Sequence, residues 1–252
     1  MHIFELRYPG TWLKFDDDAL RNEIQVMLQN LEEILIEVAI SLSMFEAAVA
    51  TSSQRNPREE FERDFELRAK IETLIREKAG DKYYQNSEAY QLMSESELRA
   101  YKYELGILPR SYLHKIPFVH AHTFVYAVDS FGKFLEALGL YESVPKLLNE
   151  CIDEFNRLIP SVKKIRNSAM HIEDRSRGYG TPSEKRKGKK METYGFLGLG
   201  NLEGNYLCYT IDDGTYQRIE ISTTVLNILV KIMNDVILSF QWKGKAYIGP
   251  RY

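Results

Sequence analysis

Residues 16–49, DDDALRNEIQVMLQNLEEILIEVAISLSMFEAAV, decide the fold class. Apolar residues recur at Leu20, Ile24, Met27, Leu31, Leu35, Val38, Leu42, Phe45 and Val49. That is the spacing of one helix face, kept for about eight turns at 3.6 residues per turn. Asp16, Asp17 and Asp18 stand at the start, where carboxylates suit the free amides and the positive end of the dipole. The polar run from Ser52 to Pro57 ends it. Glu37 and Glu46 interrupt the apolar run, so no membrane span is expected here.

On the N-terminal side, residues 1–15 read as extended chain with a turn at Pro9-Gly10. On the other side, helical patterns follow in series. A highly charged one runs from Pro57 to Ala79 with Gly80 as its stop. A third, capped by Asn86 or Ser96, ends near Leu108-Pro109. A fourth, Ser111–Leu138, is rich in aromatic residues and is expected to kink at Pro117. A fifth begins after Ser143 and carries Leu148, Cys151, Ile152, Phe155, Ile159, Val162, Ile165, Ala169 and Ile172. Its periodicity resumes directly beyond Pro160, which predicts a kinked but continuous helix. Residues 176–192 are rich in Gly, Lys and Arg. From Tyr194 to Ile221 the period is strand-like, with turns at Asn201–Asn205 and Asp212-Asp213-Gly214. A last helix covers about Thr223–Phe240. The chain is therefore expected to be mainly α, with a small β-hairpin or meander inserted before the last helix.

Composition limits the function classes. The chain has 252 residues, 44% of them hydrophobic, enough for a continuous core and too many for a disordered chain. Lys and Arg number 33 against 36 Asp and Glu, a net charge of −3, so any contact with nucleic acid has to be a local patch. Two cysteines, Cys151 and Cys208, make neither a disulfide framework nor a cysteine zinc site, and fit a reducing compartment. The N-terminus lacks the order of a signal peptide. A cytoplasmic protein is expected.

Common catalytic signatures are absent: the sequence contains no G-x-x-x-x-G-K-[ST], G-x-S-x-G, H-E-x-x-H or C-x-x-C. Gly195, Gly198, Gly200 and Gly204 suit hairpin turns, since no helix opens directly after them to complete a phosphate loop. His120 and His122 are two residues apart, on different sides of a helix, and His120 falls on the stripe of Tyr112, Ile116 and Phe124, as a hydrogen-bonded core histidine would. No set of His, Cys or carboxylate residues has metal-ligand spacing, and no metal or cofactor is expected.

One segment stands apart: Ile165-Arg166-Asn167-Ser168-Ala169-Met170-His171-Ile172-Glu173-Asp174-Arg175. Ile165, Ala169 and Ile172 continue the apolar stripe, which leaves His171 about 100° off it on a continuous helix. Asn167, His171 and Asp174 would then share a face, while Arg166 would lie about 140° from His171. Arginine makes up 16 of the 252 residues, so the bare Arg-to-His spacing arises easily by chance. The polar Asn167 directly after the arginine, and the place on a late helix, add the specificity. Here the sequence resembles the HEPN superfamily, helical bundles with an R-x(4–6)-H motif near the end of a late helix and a polar residue after the arginine. Arg166, Asn167 and His171 match those three positions, and the resemblance covers residues 16–178. In one toxin branch the histidine is followed by x-Tyr. Ile172-Glu173 stands there in this chain, so control by modification of that tyrosine is not expected.

The resemblance implies a HEPN-like antiparallel bundle and a metal-independent endoribonuclease acting as a homodimer, with paired Arg and His side chains facing one cleft. Arg166, His171 and Asn167 would be catalytic. The ribose 2′-OH would attack its own phosphate and leave a 2′,3′-cyclic phosphate and a 5′-OH. Histidine moves protons near neutral pH and arginine stabilises the added negative charge. A toxin or anti-phage role, with an antitoxin or complex partner, follows from family habit. The alternatives are a non-catalytic module that binds nucleotide or nucleic acid, and a helical interaction protein. Asp174, Arg175 and the cations Lys185, Arg186, Lys187, Lys189 and Lys190 are the candidate substrate-binding residues for RNA, with Tyr179 available to stack on a base. The expected division is a helical core with an extended N-terminus over 1–178, a basic flexible loop over 179–193, the hairpin or meander over 194–222, and a C-terminal helix and tail packing on the core over 223–252.

Overall fold

The computed structural model describes residues 1–53, 55–193 and 195–251. Gln54, within the expected break after the first helix, Tyr194, where the expected β segment begins, and Tyr252 at the end of the expected tail lie outside the described residues. In chain order the elements are β1 (Leu6–Tyr8), β2 (Trp12–Leu13), α1 (Asp18–Ser53), α2 (Pro57–Ala79), α3 (Lys82–Gln85), α4 (Ser87–Glu104), α5 (Arg110–Leu138), α6 (Leu147–Leu158), α7 (Val162–Met170), α8 (Ile172–Ser176), α9 (Pro182–Arg186), β3 (Leu199–Glu203), β4 (Tyr206–Thr210), β5 (Tyr216–Glu220), α10 (Thr223–Ser239), β6 (Trp242–Lys243) and β7 (Tyr247–Gly249). The protein is mainly α, with small antiparallel sheets. Its contacts divide it into two units, Met1–Ala47 with Pro117–Tyr252, and Ala48–Ile116.

The first unit has a continuous apolar core drawn from α1, α5, α6, α7, α10 and β4. The Asp17 carboxylate starts α1 by accepting from the amides of Ala19 and Leu20, at 2.8 and 3.2 Å. By length and composition α1 is long and apolar enough to cross a membrane, since from Ile34 to its end it carries only Glu37 and Glu46. Those two charges do not exclude it on that measure, contrary to the expectation from sequence. Its Ile24, Leu28, Leu31, Leu35, Val38 and Leu42 lie in the core, and a long core helix meets the same criterion.

Helix α5 runs without interruption through Pro117. It meets α6 where Phe131 and Phe155 pack, ring centroids 6.1 Å apart. A Cβ on Gly132 would come within 2.3 Å of the Phe155 ring. Phe155 is buried, so its ring has little room to swing away. Gly132→Val is therefore expected to destabilise the fold by about 1–3 kcal/mol through overpacking, read as a lower thermal midpoint. An unchanged midpoint would show that the two helices separate at little cost.

The fifth helical pattern is three helices. Pro160 ends α6 instead of kinking it. Proline removes a donor and drives the preceding residue out of the helical region, and Ile159 sits at φ −128°, ψ 57°. The second break is at His171, φ −114°, ψ 38°. Its amide closes α7 on the Asn167 carbonyl at 3.1 Å, and its own carbonyl accepts from the amides of Asp174 and Arg175, both at 3.0 Å.

The inserted β segment is a three-stranded antiparallel meander, β3–β4–β5, with Leu207 opposite Ile219 and Cys208 opposite Arg218. Its first turn is shorter than expected, because β3 extends to Glu203. The second turn uses Gly214 at φ +83°, where a Cβ would also strike the Glu192 carbonyl oxygen. Helix α7 packs on β4 and β5. The chain ends meet: β1 pairs antiparallel with β7 and β2 with β6. Tyr8 stacks on Tyr247 with centroids 4.5 Å apart and donates to Glu32 at 2.5 Å. Cys151 and Cys208 are buried and free, and burial pushes the Cys151 thiol up to about 11.

In the second unit α2 packs against α4, with α3 between them in sequence. Asn56 caps α2 by accepting from the Arg58 amide, Pro57 takes the first turn, and Gly80 at φ +56° follows the last residue. Helix α4 starts after Asn86, so Ser96 is interior and not the cap. Few side chains are buried here; Ile75, Tyr83 and Leu98 are the main ones.

Candidate active site

Helix α7 buries Val162, Ile165 and Ser168 and turns Arg166 toward α5. Arg166 Nε donates to Asp129 Oδ2 at 2.8 Å, and Nη1 lies 3.5 Å from Met170 Sδ. Asp129 is 5% exposed and also receives Lys133 Nζ at 2.8 Å from the next turn of α5. One carboxylate is thus shared by two cations in a buried place, which fixes the guanidinium through Nε. Arg166 Nη2 makes no hydrogen bond among the described residues and remains a donor.

His171 lies five residues on, at the α7–α8 break, with its side chain 55% exposed. Its Nδ1 is 3.8 Å from Glu173 Oε1. Met170 and Ile172 on either side are exposed apolar residues. Asn167 is half-buried one turn earlier. The break replaces the geometry expected of a continuous helix: Asn167 lies before it on α7 and Asp174 beyond it on α8, while the side chains of His171 and Asp174 stay close together.

Several proposed substrate contacts are already engaged. Arg175 is buried, not presented: its Nη1 donates to the carbonyls of Tyr179, at 2.7 Å, and Gly180. It closes the 175–180 turn and, contrary to expectation, is not presented to a substrate. Asp174 holds Lys185 Nζ at 2.7 Å and Arg177 Nη2 at 2.6 Å. The Lys185 hydrogen bond first, and Arg177 after it, keep its carboxyl below the usual range. The basic segment contains a short helix, α9, opened by a capping box between Thr181 and Glu184. Lys189 Nζ lies 3.8 Å from Glu184. Lys190 Nζ donates to the Arg177 carbonyl and sits 3.9 Å from the centre of the Tyr179 ring. With Arg177 also against that ring at 5.7 Å, Tyr179 is occupied by cations and not open for a base. Arg186 and Lys187 are exposed and without an ion-pair partner among the described residues.

The chain finds no match among protein families, curated proteins or solved structures. The site has to be read from its own chemistry.

His171, Glu173 and Asp174 bring ligand atoms within 4.8 Å of one another, a cluster the spacing did not suggest. Asp174 is held by two cations, however, and two of the three residues are open to water. His120 is half-buried and its ring makes no hydrogen bond among the described residues; of this pair it is His122 that is bonded, its Nε2 lying 2.7 Å from the Tyr209 hydroxyl. Burial pushes that hydroxyl up to about 12. The residues missed from sequence are Asp129 and Lys133. The available signal was an acid inside the apolar run of α5 with a lysine four residues on.

Proposed function

We propose that the protein is a metal-independent endoribonuclease of HEPN type, built on a HEPN-like bundle and acting as a homodimer in the cytoplasm. The observation that carries this is the contrast between the two motif residues. Arg166 is held by a buried carboxylate and keeps a free Nη2, as a fixed cation for a phosphate should, while His171 stands at a helix break with its ring open to solvent. His171 would take the proton of the attacking 2′-OH and return it to the 5′-oxygen as the P–O5′ bond breaks, and Arg166 would stabilise the charge that builds on the phosphate oxygens. Exposed Met170 and Ile172 beside His171 suit a face that meets a second copy across a two-fold axis. Arg186 and Lys187 are the cations still available to RNA phosphates. A toxin or anti-phage effector is the role such an activity would serve.

The test is purified protein with RNA in excess EDTA. Cleavage should persist and leave 2′,3′-cyclic phosphate ends, and RNA with a 2′-deoxy sugar at the cut site should be inert. Cleavage that needs added divalent metal would overturn the proposal and turn attention to His171, Glu173 and Asp174 as ligands.

A further inference from the structure

The second unit contains an open cavity of about 670 Å³, formed where the start of α2 and the end of α4 meet the chain around Arg110. Its size falls within the usual range of small-molecule sites. Six cations and three carboxylates line it. Each carboxylate has its own cation: Glu60 with Arg55 at 2.6 Å, Asp64 with Lys102 at 2.5 Å, and Glu95 with Arg68 at 2.6 Å. Arg63, Arg99 and Arg110 remain, exposed and without an ion pair or hydrogen bond among the described residues. In a chain of net charge −3, three guanidinium groups with no ion-pair or hydrogen-bond partner of their own among the described residues leave this one cavity with an excess of positive charge. The Arg55 hydrogen bond chiefly, with the charges of Arg110 and Arg63 adding to it, holds the Glu60 carboxyl below its usual range.

The ligand class follows from the lining. Guanidinium groups present planar forks that match phosphate oxygens. A phosphate monoester carries about −1.5 to −2 at neutral pH, so three free cations suit two or more phosphates better than one. The remaining lining is apolar and aromatic: Leu98, Ile107, Leu108 and Pro109, with the exposed Tyr103 and Tyr112. Flat rings beside cations suit a base carried on a phosphate chain. We infer that this cavity binds a nucleoside polyphosphate, its phosphates on Arg63, Arg99 and Arg110 and its base against the tyrosines. The inference is independent of the ribonuclease proposal: a chain that binds nucleotide here and cleaves no RNA would sink that proposal and leave this one standing.

The experiment is titration calorimetry of the whole chain with each of ATP, GTP, CTP and UTP, and with AMP and inorganic pyrophosphate. At least one triphosphate should bind saturably with 1:1 stoichiometry, about tenfold or more tighter than both AMP and pyrophosphate. Each charged phosphate contact is worth about tenfold to a hundredfold in affinity, so R63Q/R99Q/R110Q should abolish measurable binding with an unchanged circular dichroism spectrum. R186Q/K187Q, in the basic segment, should bind as the parent does. Four results would each overturn the inference. They are no saturable binding of any triphosphate up to about 1 mM, equal binding of pyrophosphate, full binding by the triple variant, or loss of binding in R186Q/K187Q alone.

Discussion

His171→Ala is expected to reduce RNA cleavage by about 10²–10⁴-fold, the usual contribution of a general acid or base. The loss should appear in the rate at saturating RNA, because removing a proton-transfer group affects the transition state and not the grip on the substrate. The protein should remain folded: the ring is more than half exposed, and such surface changes usually stay within about 0.5 kcal/mol. Arg166→Ala should cost about 10²–10³-fold, the cost of losing one preorganised charge stabiliser. Lysine at 166 should recover little, since an ammonium cannot bond Asp129 through one nitrogen and offer a second to phosphate. If His171→Ala cleaves as well as the parent, the motif is not the active site. The helix break would then be a structural junction and no more.

Parts of this arrangement were legible in sequence and parts were not, for identifiable reasons. Helix α2 carries its own punctuation: Asn56, Pro57 and Gly80 are terminus signals that act locally, and its bounds follow from them. The fifth pattern misled because α6 and α7 bury their apolar stripes in one core, so the period passes through Pro160 undisturbed. The break at His171 has neither glycine nor proline to mark it. Arg175 looked like a surface cation because hydrophobic periodicity does not say where a long polar side chain finds carbonyls. Strands β1, β2, β6 and β7 are two or three residues long, below the length at which alternation can be seen, and their partners lie at the opposite end of the chain. Asp129 was passed over for a related reason. It sits among Val125, Val128 and Phe131, and its partner Arg166 is 37 positions away. A sequence shows an acid in an apolar run, but not the cation that justifies it.

Asp129 is where the largest stability effect is expected. Removing one partner of a buried ion pair costs about 3–5 kcal/mol, because the other charge is left without compensation. Arg166 keeps 16% exposure and Lys133 50%, so water relieves part of that cost, and Asp129→Ala should fall near the lower end, about 3 kcal/mol. In a chain of this length about 1 kcal/mol moves the thermal midpoint by roughly 2–4 °C. A fall on the order of 10 °C is the expected reading. Asp129→Asn, which keeps an acceptor and loses the charge, should fall less. Arg166→Met together with Asp129→Leu should recover most of the loss, since an apolar pair of similar volume avoids the desolvation of both charges. Cleavage should behave differently. The double variant regains stability but lacks the guanidinium, so it should stay as inactive as Arg166→Ala. If activity instead returns with stability, Arg166 serves the fold and not the chemistry. If Asp129→Ala leaves the midpoint unchanged, the 2.8 Å contact does not hold the guanidinium in place, and the fixed cation that the proposed mechanism needs is missing.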